Sequence, residues 1–382
     1  MSLKPLILGL CLALLAPLGA TAFETKARTA LVVDDATGLV LFSKNAETPE
    51  PPASMSKLMT LYMLFEAIRD GRVTPETTFN VSARAHGMAG SRMFVDIGTE
   101  VPVEALIQGI IVQSGNDACV VVAEGLAGSE DEFAAQMTRR AAEIGLTHTV
   151  LKNASGWPAE GHVMSAEDLV TLARRIIHEF PEYYDYFKET EFTWNGITQP
   201  NRNPLLKLGI GADGLKTGHT AEAGYGLVGS AVQDGQRIVF AVSGLGGVQE
   251  RAVETEALVK WAFGSFDTVK FFSKGELVTQ APVWLGETAT VPLVAPGDIQ
   301  MLVPRADRAR MTARVVYDSP IEAPISAGQP LGALVVELPD QPPARFDLVA
   351  GADAARGGLM TRIGAAARLA RDSAAQLLPG RE

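Results

Sequence analysis

The chain is 382 residues long, 47% hydrophobic and 20% charged, with a formal net charge of −11. Such a composition excludes a disordered chain, and the length suffices for two domains with a sizeable core. The acidic balance argues against nucleic acid as a partner and against steering of anionic polymers by the overall field, so any anionic ligand must be met by a local positive cluster.

Lys4 precedes an apolar run over 6–18, and Ala20-Thr21-Ala22 follows it. A positive n-region, an h-region and an A-x-A site predict a signal peptide over 1–22, export, and a mature start at Phe23. The run is short for a membrane-spanning anchor. Cys11 follows Leu10, where lipid attachment needs a small residue. Cleavage after Ala22 removes Cys11 and leaves Cys119 alone, so no internal disulfide can form and stability must come from packing. It also removes Lys4, the one charge in that segment, taking the net charge from −11 to −12.

Leu31-Val32-Val33 and Leu39-Val40-Leu41-Phe42 flank an Asp/Gly turn and predict a hairpin. A helical apolar pattern (Met55, Leu58, Met59, Tyr62, Phe65, Ile68) begins after Ser54 and stops at Asp70-Gly71. Helices are predicted over 103–112 and 118–126, broken by Gln113-Ser114-Gly115-Asn116. Two more open at the Ser129 and Ser165 caps. Asn195-Gly196 predicts a second hairpin, and 225–232 and 237–243, joined by Asp234-Gly235, two further strands. A helix is predicted over 251–263. Strands near both ends with helices between predict an α/β domain, an antiparallel sheet covered by helices, over 23–266. Short β-rich pieces at 276–278, 283–285, 299–303, 313–317 and 333–338, punctuated by Pro and Gly, predict a small all-β domain without helix over 267–352. The segment 353–382 carries an apolar stripe (Leu359, Ile363, Ala366, Ala370, Leu377) with Arg362, Arg368 and Arg371. It reads as an amphipathic helix lying on an anionic membrane surface.

Three short motifs carry chemistry. Ser54 and Lys57 stand three apart at a helix start, so hydroxyl and amine share a face. A lysine in a water-poor pocket can deprotonate a serine nucleophile. Ser114 and Asn116, two apart in a tight break, can relay a proton and hold a peptide amide. Lys216 and Thr217, on an edge strand, offer a cation and a hydroxyl to a carboxylate, and Gly218 allows close backbone approach. S-x-x-K, an S-x-N variant and K-T-G in this order are the signature of penicillin-binding proteins and class A β-lactamases.

The chain resembles the low-molecular-mass penicillin-binding proteins, the serine-type D-alanyl-D-alanine carboxypeptidases. The resemblance extends through Gln113-Ser114-Gly115-Asn116-Asp117-Ala118-Cys119, Phe192-Thr193-Trp194-Asn195-Gly196-Ile197, Asn201-Arg202-Asn203 and Lys216-Thr217-Gly218-His219-Thr220. It implies a penicillin-binding, transpeptidase-like fold and removal of the terminal D-alanine from peptidoglycan stem peptides through an acyl-enzyme on Ser54. It implies Lys57 as base and Ser114 as proton relay, assisted by Lys216. Asn116 would hold the substrate amide, Thr217 the terminal carboxylate, with Arg202 and Arg251 as supporting charges. The backbone N–H groups of Ser54 and His219 would form the oxyanion hole. β-Lactams would acylate Ser54, and the protein would be periplasmic, peripheral on the outer face of the cytoplasmic membrane. The chain departs from the pattern at Asn153-Ala154-Ser155-Gly156-Trp157-Pro158, where family members often carry His-Gly, a change that bears on substrate choice or deacylation. Ser91 is either a cleft-flanking residue or an ordinary loop serine.

Rival readings are a serine β-lactamase, a D,D-endopeptidase and an inactive envelope scaffold. The E-x-x-L-N setting of the deacylating glutamate is missing between the second and third motifs, against the first. The intact motifs argue against the last. His86, His148, His162 and His178 show no ligand spacing with each other or with Cys119, so neither metal nor cofactor is expected. Cys119 reads as a small buried residue, and Trp194, Trp261 and Trp284 as core or domain-interface residues.

Overall fold

The computed structural model describes residues 23–339, 341–358 and 363. The predicted signal peptide and, Ile363 apart, the apolar stripe of the predicted terminal helix lie outside the described residues.

The first unit is a five-stranded antiparallel sheet built from both ends of its sequence. Strands β1 (Thr29–Asp34) and β2 (Val40–Lys44) come early, and β3 (Ala212–Thr220), β4 (Gly224–Gln233) and β5 (Gln236–Leu245) late, in the order β2-β1-β5-β4-β3. Side chains alternate between the two faces of a strand, and here both faces are covered. Leu31, Val33, Val228 and Val239 pack under one helical layer. Ala30, Val32, Leu227 and Phe240 pack against Leu258, Val259 and Ala262 of a helix on the other side. Two-sided burial explains why β1 reads as an unbroken buried run.

The larger layer holds helices α1 (Lys57–Arg69), α2 (Val103–Ile111), α3 (Asn116–Ala127), α4 (Glu130–Glu143) and α5 (Ala166–Glu179); α6 (Val248–Ser265) covers the opposite face. Ser129 and Ser165 accept hydrogen bonds from the N–H groups of Glu132 and Asp168, the caps the sequence announces. Helix α1 is buried nearly all round (Leu58, Met59, Leu61, Tyr62, Leu64, Phe65), as a helix in the middle of a layer must be. The predicted hairpin forms from Glu191–Trp194 and Ile197–Pro200. Trp194 packs against the main core and Trp261 against Phe23 and Phe42.

Three local expectations are corrected. Ser54 sits in a single 3₁₀ turn, Ala53–Ser56, and the α-helix proper begins at Lys57, because Pro51 and Pro52 lead into a tight bend. Asn116 is the first residue of α3 and not part of the break. In the second unit, the pieces at 276–278 and 283–285 are one strand, Leu277–Trp284. Strands Phe266–Phe272, Thr290–Val294 and Ala344–Ala350 were not foreseen, and a 3₁₀ turn stands at Arg308–Arg310. Strand Phe266–Phe272 follows α6 directly, the helix running through Gly264-Ser265, a pair that the sequence offers as a stop. The unit is otherwise all-β: a six-stranded sheet and a two-stranded one around Val291, Leu293, Met301, Val336 and Leu348.

Candidate active site

The site lies where three pieces of chain meet: the 3₁₀ turn before α1, the junction of α2 and α3, and the exposed edge of the sheet at β3. Small residues let them close. A Cβ on Gly218 would fall 2.9 Å from both Met55 Cγ and Pro52 O. The glycine thus lets β3 lie against the turn carrying Ser54. Gly218 also lines the cleft, so this packing stands beside the close ligand approach read from the sequence. Gly156 has φ +75°, and a Cβ there would stand 1.9 Å from Ala53 O. This second glycine seats the 153–158 loop on the same turn.

Lys57 is fully buried. Its Nζ lies 2.8 Å from Ser54 Oγ, 2.7 Å from Asn116 Oδ1 and 2.5 Å from the Ser155 carbonyl oxygen. An amide oxygen and a carbonyl oxygen can only accept. A neutral amine has two N–H groups and one lone pair. In that neutral form both N–H groups are taken by these two oxygens, and the lone pair faces the Ser54 hydroxyl. Burial pushes the amine down to about 8, with the Arg202 charge acting in the same sense and Asp117 opposing. Above that value the amine is a proton acceptor 2.8 Å from the Ser54 hydroxyl.

Ser114 occupies the left-handed region at φ 59° and is buried. A non-glycine residue held there marks a site where surrounding structure imposes the conformation. Its Oγ accepts from Lys216 Nζ at 2.9 Å. Lys216 is buried and held well below the ordinary lysine range by desolvation, then by the Lys57 and Arg202 charges. The motifs thus form two serine–lysine pairs, Ser54 with Lys57 and Ser114 with Lys216, with Asn116 beside the first.

Two lobes of one cleft meet at Ser54. The larger, about 440 Å³, is lined by Ser54, Gly90, Asn116, Trp157, Pro158 and Ala221 among others. The smaller, about 240 Å³, is lined by Ser114, Thr217, Gly218, Tyr225 and Arg251, and Ser54, Ser91, Arg202 and His219 line both. Arg251 is buried, donates to the Arg202 carbonyl at 3.3 Å, lies 5.8 Å from the Tyr225 ring centre, and its Nε has no partner. Among the described residues neither Arg251 nor Arg202 pairs with a carboxylate. The His219 ring stacks on Tyr225 at 3.8 Å. Every residue singled out in the sequence (Ser54, Lys57, Ser114, Asn116, Arg202, Lys216, Thr217, Gly218, His219, Arg251) lines this cleft or bonds to one that does.

Sequence reasoning missed three parts of the site and left a fourth, Ser91, open. The Ser155 carbonyl holds the lysine through a backbone atom, which leaves no residue-type signal. Asp117 is buried and accepts from the N–H groups of Met93 and Phe94 at 2.8 Å each, fixing the loop that carries Ser91. Ser91 is a cleft residue: its side chain accepts from Arg202 and its carbonyl accepts from Asn116 N–H at 2.8 Å. Trp157 is the third missed part, a wall of the larger lobe. Cys119 is buried and its thiol is pushed up to about 12 by desolvation, so it is inert at neutral pH.

A helical layer over an antiparallel sheet, with a serine, a buried lysine and a second serine–lysine pair at the sheet edge, defines the active-site-serine acyl-transfer enzymes. Residues 17–246 match the family model for D-alanyl-D-alanine carboxypeptidase, and residues 266–356 that for the penicillin-binding protein 5 C-terminal domain. The chain belongs to the D-alanyl-D-alanine carboxypeptidase family. It is 36% identical over 341 residues to D-alanyl-D-alanine carboxypeptidase DacD of Salmonella typhimurium, covering 87% of each chain. To DacA of Escherichia coli it is 36% identical over 323 residues, covering 82% of this chain and 80% of the relative. Penicillin-binding protein 5 of Haemophilus influenzae superposes with a TM-score of 0.78 at 32% identity, over 88% of this chain and 100% of that one.

Proposed function

We propose that the protein is a serine-type D-alanyl-D-alanine carboxypeptidase that trims the terminal D-alanine from peptidoglycan stem pentapeptides, with β-lactams acylating the same serine. The arrangement that carries this reading is the buried Lys57 amine 2.8 Å from the Ser54 hydroxyl, its other two contacts being oxygens that only accept, so that its neutral form turns its lone pair on that hydroxyl. In the reading, Lys57 Nζ takes the Ser54 proton as Oγ attacks the carbonyl between the two D-alanines. The backbone N–H groups of Ser54 and His219 meet the developing oxyanion. The C–N bond breaks, and the proton that Lys57 took is passed on through Ser114, held by Lys216, to the leaving amine, which returns Lys57 to its neutral form. Water then cleaves the ester and frees Ser54.

The substrate carboxylate goes to the smaller lobe, where Thr217, Arg202 and Arg251 gather and no acidic partner stands among the described residues. Asn116 holds the amide of the acyl donor. None of the residues lining either lobe is a carboxylate, which supports slow release of a penicilloyl group and so a peptidase over a β-lactamase. The test is release of D-alanine from diacetyl-lysyl-D-alanyl-D-alanine. The reading expects turnover in the wild type and none in Ser54→Ala; turnover that survives Ser54→Ala defeats it.

The division into a catalytic domain over 23–266 and an all-β domain over 267–352 is part of the same proposal, as is export to the periplasm. No helix of the described residues is long and apolar enough to cross a membrane. Peripheral attachment through 353–382 rests on the sequence pattern. Truncation at 352 should move the protein from the membrane fraction to the soluble one, and an unchanged distribution refutes the anchor.

A further inference from the structure

The larger lobe has a wall the reaction above does not use. Trp157 is 43% exposed in the cleft and yet held firmly. Its N–H donates to Asn153 Oδ1 at 3.0 Å, and its carbonyl accepts from Asn153 Nδ2 at 2.8 Å. One asparagine side chain thus clamps both backbone polar groups of a single residue. The edge of the indole lies over Gly90, where a Cβ would fall 2.8 Å from Trp157 Cζ3. Gly156, pressed on the turn of Ser54, fixes the loop relative to the nucleophile. Pro158 and Ala221 continue the wall, and the only charged group lining this lobe among the described residues is Arg202, at its shared end.

Chain direction then follows from charge. With the terminal carboxylate in the lobe of Thr217 and Arg251 and the scissile carbonyl at Ser54, the N-terminal part of the acyl donor must leave through the larger lobe. The residue preceding the D-alanine pair arrives at Trp157. We infer that Trp157 is a specificity-determining residue that packs a long aliphatic side chain on that preceding residue. The inference rests on the carboxypeptidase reading. The indole offers a broad apolar face with only two side-chain torsions to order, on a backbone already held.

The test uses the full-length protein and two acetylated tripeptides ending in D-alanyl-D-alanine. One begins with Nε-acetyl-lysine, the other with alanine. The quantity read is the ratio of their kcat/KM values. Covering about four methylenes against the indole predicts a wild-type ratio of about tenfold or more in favour of the lysyl peptide. In Trp157→Ala the ratio should collapse towards one. Trp157→Phe should keep most of it and Trp157→Leu an intermediate share, and these two apolar variants carry the test should the alanine variant fail to fold by its melting transition. A wild-type ratio near one overturns the inference, as does a ratio that stays constant across the variants while the individual rates change. Release of D-alanine without discrimination sinks the inference alone. Release from neither peptide sinks the carboxypeptidase reading with it.

Discussion

Asn116→Asp is the sharpest probe of the lysine base. The change is nearly isosteric and puts a carboxylate oxygen 2.7 Å from Lys57 Nζ, where an amide oxygen now stands. At an effective dielectric of about 20 the attraction is ~6 kcal/mol. Desolvation of the new carboxylate offsets about half, leaving ~3 kcal/mol, or ~2 pK units in favour of the ammonium. The sign follows directly: below its pKa the amine is protonated and cannot take the Ser54 proton, and above it the lone pair is free. In the wild type, acylation should rise with pH through about 8. In Asn116→Asp the midpoint should move to about 10, and the rate at pH 7.5 should fall about a hundredfold. The assay is the second-order rate of acylation by a fluorescent penicillin from pH 6 to 10.5. Asn116 also touches substrate in the proposed reaction, so the amplitude can drop for that reason as well; the midpoint is what reads Lys57. A variant profile parallel to the wild type, lower but not displaced, would refute the assignment of Lys57 as the base.

Arg251→Met should cost about a hundredfold in kcat/KM on peptides with a free terminal carboxylate and far less on the terminal amide, the loss of one charge-assisted contact of ~2–3 kcal/mol. The same variant should melt slightly higher than the wild type, since it removes a buried guanidinium with no carboxylate partner; calorimetry showing a marked drop would contradict that account. Gly156→Ala should be destabilised by ~2 kcal/mol or more, because a Cβ meets Ala53 O at 1.9 Å and φ is positive. Penicillin labelling should fall with it, and labelling at the wild-type rate would show that the loop is not seated as described. Phe65→Ala, emptying a fully buried ring position between Phe180 and Tyr183, should cost ~3–5 kcal/mol by denaturant titration without altering the acylation midpoint in the molecules that stay folded.

What the sequence discloses and what it hides divide along physical lines. Ser54 and Lys57 are legible because three-residue spacing at a helix start is local geometry. The meeting of Lys216 with Ser114 spans 102 residues and is readable only through the order of the motifs. The Ser155 carbonyl is invisible, since every residue carries one. Asp117 looks like any acid in a first helical turn, and only the tertiary structure turns it towards the N–H groups of Met93 and Phe94. Gly218 is legible as a point of close backbone approach, and the structure adds a second reason for it, since its space also admits the protein's own turn. Caps and tight turns located α4, α5 and the hairpins well. The all-β unit was blurred because Thr290–Val294 is only five residues with Pro292 inside it, and because α6 runs through Gly264-Ser265 straight into the first strand.

The passage from α6 into the strand Phe266–Phe272 has no linker at all: one ends at Ser265 and the other starts at the next residue. Phe266 and Leu302 belong to the same core as Phe240 and Val242, Leu39 reaches into the core of the second unit, and Arg305 N–H bonds the Ser265 carbonyl at 3.2 Å. Oil shared across a boundary makes a stiff joint. The two units therefore meet through packed side chains and a backbone hydrogen bond, and not through a free tether.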